Sequence, residues 1–184
     1  MVSDRWHPGA KGILLRDVAD DDLPIFFGHQ LDPTAIRMAA FTSQDPADRA
    51  AFTAKWKQIT TDDTVRVKTI LFEGHVTGHI ASFEQAGMRE ITYWIGREYW
   101  GKGIATTALA EFLTDEKVRP LYARAVKDNV ASLRVLEKCD FTICGDGKGY
   151  AHGRGEEVEE YILRLAPARP IRSAGTGRAT PAGS

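Results

Sequence analysis

The residues best suited by type and spacing to do chemistry are Gly101 and Gly103, in the run Y-W-G-K-G-I-A-T. Two Cβ atoms are missing where a chain would turn into a helix, so backbone N–H groups there can face whatever lies over the helix start. Unpaired amides and the positive end of the helix dipole favour an anion, most naturally a phosphate. The run lacks the G-x-x-x-x-G-K-[ST] pattern of a nucleoside-triphosphate loop and the third glycine of a dinucleotide fingerprint. A second candidate, Asn129, has a side chain suited to capping a helix. His7, His29, His75, His79 and His152 show no ligand spacing, and Cys139 and Cys144 form no metal motif. No metal is therefore expected, His29 reads as a surface histidine, and the cysteines read as reduced, partly buried thiols.

Elements must position the glycine turn. Before it, E-I-T-Y-W-I (90–95) is rich in β-branched and aromatic residues and predicts a strand. After it, 105–117 carries Ala105, Ala108, Leu109, Phe112 and Leu113 at helical spacing. L-Y-A-R-A-V (121–126) is the next strand. N-V-A-S-L-R-V-L-E-K-C then reads as a helix capped by Asn129, with Leu133, Leu136 and Val130 on its buried face. Strand, turn, helix, strand implies two parallel neighbouring strands joined by a crossover helix.

Upstream, 12–18 reads as a first strand and 22–30 as a short helix with Leu23, Phe26 and Phe27 on one face. Residues 31–43 have no clear period and read as a loop, and 46–59 as a helix with Pro46 at its first position and Phe52, Trp56 and Ile59 as its stripe. Residues 65–72 and 76–83 form a hairpin about Glu73-Gly74-His75. Downstream, 142–144 begins a strand, 145–155 is glycine-rich and reads as mobile, and 158–165 closes the sheet.

At 184 residues the chain makes one domain able to bury about two thirds of its unfolded surface. Residues 1–11 read as a flexible lead-in, 12–165 as the domain and 166–184 as a disordered tail. The net charge of -1 offers nucleic acid or an anionic membrane no general attraction. No apolar run approaches the ~20 residues of a membrane span, and residues 1–9 lack a signal peptide's apolar region. Cytoplasm is the default location.

Y-W-G-K-G-I-A-T, followed after a helix and strand by N-V-A-S-L-R-V-L-E-K-C-D-F, resembles the acetyl-CoA-binding core of the GNAT N-acetyltransferase superfamily. It is most similar to the branch of the ribosomal-protein N-terminal acetyltransferases. The specific part covers 93–141, and the element order 12–165. The resemblance implies an α+β (mixed α/β) fold: a central, mostly antiparallel sheet with helices on both faces and one parallel pair of strands splayed at the acetyl-CoA site. The activity it implies is acetyl transfer to a primary amine, either a protein N-terminus or a small-molecule amine, by direct attack in a ternary complex. The alternative is a non-catalytic acyl-CoA-binding module, as a monomer or a homodimer.

Carried onto this chain, the resemblance gives amides from Tyr99, Trp100, Gly101, Lys102, Gly103, Ile104 and Ala105 to the diphosphate, with Lys102 adding charge. An N–H near Trp94 or Ile95 would polarise the thioester carbonyl. Tyr93 and Trp94 face opposite ways, one into the core and one onto the cleft. The implied base is Glu90, with Glu84 second. Asn129 would cap its helix, contact pantetheine, or both. Where many relatives place a tyrosine as the thiolate's acid this chain has Leu136, and Ser132 is the implied thiolate partner instead. Cys144 falls about where some members of the branch carry a glutamate base. Asp140 stands where relatives have glycine, and aspartate tolerates a positive φ better than most residues.

Overall fold

The computed structural model describes residues 12–167, arranged around a seven-stranded sheet of order β1-β2-β3-β4-β5-β7-β6. The strands are β1 (Ile13–Arg16), β2 (Arg66–Phe72), β3 (His75–Gln85), β4 (Met88–Ile95), β5 (Leu121–Val126), β6 (Thr142–Ala151) and β7 (Glu156–Leu165). The helices are α1 (Leu23–Gln30), α2 (Pro33–Ala39), α3 (Arg49–Thr61), α4 (Ile104–Asp115) and α5 (Val130–Lys138). Every pairing is antiparallel except that of β4 with β5.

The main core lies where Ile80, Ile91 and Ile95 meet Leu109 and Phe112 of α4 and Leu136 of α5. On the other face Phe26 of α1 and Phe52 and Trp56 of α3 form a second cluster. Buried charges fix the periphery. Asp22, 2% exposed, accepts from both terminal nitrogens of Arg16, at 2.6 and 2.7 Å, and from Thr69 Oγ1 at 2.6 Å. Burial opposes its charge, but these bonds and the Ala19 amide outweigh that and hold its carboxyl below the usual range. At the far end of α4, Glu116 accepts from Ser82 Oγ at 2.5 Å and pairs with Arg89 at 3.3 Å, fastening the helix to β3 and β4.

Four expectations change. Residues 33–39 form α2 rather than loop, because Asp32 caps it, accepting from Ala35 N at 2.8 Å, and Pro33 takes the first helical position. The same dipeptide at Asp45-Pro46 only makes a turn: α3 begins at Arg49 under Asp48, which accepts from Ala51 N at 2.9 Å. Glycine-rich 145–151 is ordered strand, since Gly145, Gly147 and Gly149 sit at alternate positions. A Cβ at Gly147 would press on Glu160 Oε1 at 3.2 Å, and one at Gly149 on Phe41 at 3.2 Å. Val130, at the solvent side of the first turn of α5, is 49% exposed rather than buried. The lead-in at 1–11 and all but the first two residues of the tail at 166–184 lie outside the described residues.

His79 sits 4.9 Å from the ring of Phe26 and 4.9 Å from that of Trp56, with its Nδ1 lacking a hydrogen-bond partner. Burial, with minor repulsion from His29 and Lys55, depresses its pKa from 6.5 to about 3. The unfolded chain therefore takes up a proton first as pH falls. Its contribution to stability is intact above pH 6.5 and is lost between there and about 3, at about 1.4 kcal/mol per pH unit. We predict that His79→Phe, which keeps a ring in the aromatic nest, flattens the acid fall in melting temperature across that window; an unchanged slope would show that the residue does not set it.

Candidate active site

Strands β4 and β5 run parallel but share a single register pair, Glu90 with Tyr122, and diverge beyond it. Their outer edges are fully paired, β4 with β3 and β5 with β7, so the gap is a fork inside the sheet. One origin of the divergence is a bulge. Thr77 is the extra residue in β3, its hydroxyl donating to the Ile70 carbonyl at 3.1 Å, and Gly96 N donates to the Thr77 carbonyl at 2.9 Å. Bulges bend a strand and increase its twist, and β4, in register with β3 to its last residue, follows that bend. Gly78 is required next to the bulge, because any Cβ there would collide with the Trp94 carbonyl.

The cleft in the fork is lined by Ile91, Thr92 and Tyr93 of β4, Ala123 and Arg124 of β5, and Ser132 and Leu136 of α5. Asn129 caps α5, accepting from Ser132 N at 3.1 Å, and its Nδ2 donates to the Met38 carbonyl at 3.1 Å, which joins α2 to the rim. Ser132 Oγ lies 2.8 Å from the hydroxyl of Tyr93. Of the β4 aromatic pair, Tyr93 turns to the main core and the cleft, while Trp94 takes the opposite face beside His79.

At the closed end of the fork, Glu90 is 6% exposed and accepts from Arg124 Nε at 3.1 Å, while Arg124 Nη1 donates to Glu160 at 2.9 Å. Burial opposes the charge of Arg124, but bonds from Glu160 and Glu90 overcome it and raise its pKa above the ordinary value. Glu160 and Arg124 were not singled out in the sequence, although both stand on strands read there, and only the sheet order brings them to Glu90. Glu84 is exposed on β3 opposite Arg89, apart from the cleft.

At the open end, Gly101 and Gly103 adopt φ of 76° and 75°, which side chains disfavour. Gly103 caps α4 with no side-chain hydrogen bond, and a Cβ at either glycine would meet nothing within 4 Å. The helix thus starts with no side-chain cap, beside two glycines that leave room over the turn. Tyr99 N and Trp100 N are already bonded, to the carbonyls of Gly96 and Arg97, so they narrow the cradle to 101–105. Trp100 instead fastens the turn to β4, its Nε1 donating to the Ile95 carbonyl at 2.8 Å. Lys102 Nζ lies 5.3 Å from the Tyr99 ring.

His29 is buried rather than on the surface, with Nε2 3.5 Å from Glu98 and Nδ1 unpartnered, packed where a Cβ on Gly96 would strike it. Burial lowers its pKa, against the raising pull of Glu98. Asp140 has a φ of 65°, in keeping with a position that favours glycine. Cys139 is buried and Cys144 exposed.

The sequence matches the acetyltransferase (GNAT) domain family over residues 13–142. The chain belongs to the GNAT acetyltransferase family. Members of that family are acetyltransferases. Among relatives, it is 27% identical over 86 residues to an uncharacterized N-acetyltransferase p20 of Bacillus licheniformis, a stretch covering 45% of this chain and 48% of that protein. The match thus spans about half the length of that relative. In structure it resembles the microcin C7 self-immunity acetyltransferase MccE in complex with acetyl-CoA and AMP, with a TM-score of 0.72, 15% identity, and 85% of this chain and 93% of that one covered. It also resembles RimL, a ribosomal L7/L12 alpha-N-protein acetyltransferase in complex with coenzyme A, with a TM-score of 0.66, 19% identity, and 86% and 97% covered.

The GNAT donor fits what this chain offers: an anion cradle over glycines that leave space free, and a strand edge in the fork with backbone groups to share. Gly103→Val would force a β-branched residue to a φ of 75° at the cradle. We predict that calorimetry finds acetyl-CoA binding lost, while circular dichroism finds the fold kept; unchanged affinity would remove the cradle from the cofactor site.

Proposed function

We propose that this GNAT enzyme transfers the acetyl group of acetyl-CoA to a primary amine, on a protein N-terminus or a small molecule, by direct attack in a ternary complex. The observation that carries this reading is the fork itself, lined by hydroxyls and by no thiol. Cys139, hydrogen-bonded through Sγ to the Thr106 carbonyl at 3.7 Å, has its pKa pushed up to about 11 by burial and by Asp140, which disfavours a thiolate nucleophile. Cys144 lies on the edge strand β6. Neither supports an acetyl-enzyme.

In this reading the amides of 101–105 hold the diphosphate, with Lys102 at its margin, and Asn129 stands where pantetheine passes. An N–H at Trp94 or Ile95 polarises the thioester carbonyl. When bound, the donor supplies an activated acyl carbon. Glu90 takes the proton of the ammonium through water, and Ser132 steadies the departing sulfur. The acceptor enters from the face carrying α1 and α3, where His29 Nδ1, His79 Nδ1 and Trp94 Nε1 are buried without partners and can be satisfied by a polar acceptor or by water. No helix among the described residues is long and apolar enough to cross a membrane, which is compatible with work in the cytoplasm.

The test is release of coenzyme A across an amine library, run on wild type and on Glu90→Gln, which keeps an acceptor for Arg124 Nε. The substitution should lower kcat roughly a hundredfold. Retained kcat would leave Glu90 as a pin between β4 and β5.

A further inference from the structure

Tyr93 and Ser132 come from opposite walls of the fork, β4 and the first turn of α5, and meet at 2.8 Å between hydroxyl oxygens. Tyr93 is also 3.4 Å from the Ser132 carbonyl, a longer and weaker contact. The Ser132 amide is already held by Asn129 Oδ1 at 3.1 Å, which fixes the turn and with it the origin of the serine side chain. Leu136, one turn further along α5, fills the neighbouring wall with a group that cannot donate.

We propose that Tyr93 is a positioning residue for the leaving sulfur: its hydroxyl donates to Ser132 Oγ and so turns the serine proton into the fork. This inference rests on the acetyl-CoA reading of the cleft. A serine hydroxyl alone rotates freely, but one accepting a hydrogen bond from a fixed phenol keeps its own proton for a different acceptor. Burial, only partly offset by the bond to Ser132, raises the Tyr93 pKa to about 12, so the phenol keeps its proton and can serve as the donor of the pair. The step then balances without ionising Tyr93. The amine nitrogen bonds to the acyl carbon, and the C–S bond breaks with its electron pair left on sulfur. The two-hydroxyl chain steadies that charge, and the proton lost by nitrogen passes through the base and water to the sulfur, giving the free thiol and returning the base and water unchanged. The sheet thereby furnishes, through Ser132, the hydroxyl support that Leu136 cannot give from the helix.

The test uses Tyr93→Phe, which keeps the ring in its packing, with Ser132→Ala and the double variant. The first readout needs no turnover: the thiol of bound coenzyme A is titrated by thiolate ultraviolet absorbance. Its pKa should be lower in wild type than in Tyr93→Phe by about one unit, a tenfold change in thiolate population. In the steady state, kcat of Tyr93→Phe should fall roughly tenfold or more with KM for acetyl-CoA unchanged, and the double variant should be no slower than Ser132→Ala. The same thiol titration in wild type and Tyr93→Phe, or unchanged kcat, overturns the proposal while leaving acetyl transfer intact. A shifted thiol with no turnover on any amine supports the pair and counts against the proposed reaction. Failure of wild type to bind coenzyme A overturns both.

Discussion

Backbone hydrogen bonding is an obligation, and inside the sheet it is left incomplete where β4 meets β5. Strands β4 and β5 sit inside the sheet, yet their ladder has a single register pair, Glu90 with Tyr122. Beyond it each strand faces a gap with donors and acceptors that normally find partners. The fork therefore invites an extended, amide-bearing molecule to complete the sheet, and the rest of the structure holds it open. The Thr77 bulge bends β3 and β4 together, Gly78 admits the Trp94 carbonyl, and α5 stands at the fork with Leu136 and Ser132 in its wall.

The two ends of the fork have opposite chemistry. The closed end is pinned by charge: Glu90, Arg124 and Glu160 tie β4, β5 and β7 together, and leaving any of these unpaired would strand a poorly hydrated charge. At the open end, positive charge is supplied by backbone, as the uncapped start of α4 beside glycines at positive φ. A ligand with an anionic head and a neutral, amide-bearing stem matches that gradient. The acceptor-side rim is tied separately: Arg154 donates to both oxygens of Asp128, at 2.6 and 2.7 Å, and to the Arg37 carbonyl at 2.8 Å, linking the β6–β7 turn, the start of α5 and α2.

Much of this was legible in the sequence because the signals were local. The strand, glycine turn and helix of 90–115 and the Asn129 cap follow from nearby residues, the tolerance of Asp140 for a positive φ follows from the resemblance, and each is present. What escaped was set by distant partners. One exception is local: Asp32-Pro33 and Asp45-Pro46 are the same dipeptide, but only the first opens a helix, because Asp48, three residues after Asp45, takes the cap of α3. Glycines at 145, 147 and 149 read as looseness until Phe41 and Glu160 are seen to occupy the space that side chains would need. His29 looked like a surface residue because its burial depends on Gly96, far along the chain. The carboxylate Glu160 and the meeting of Tyr93 with Ser132 depend on sheet order and on α5 closing over the fork, neither of which a local pattern encodes.

The most direct test of the account is a crystal structure of the protein with coenzyme A. The pantetheine is expected edge-on between β4 and β5, bonded to the backbone near Trp94 and Ile95, with the diphosphate over the amides of 101–105. Coenzyme A bound elsewhere, with β4 and β5 zipped together beyond Glu90 and Tyr122, would contradict it.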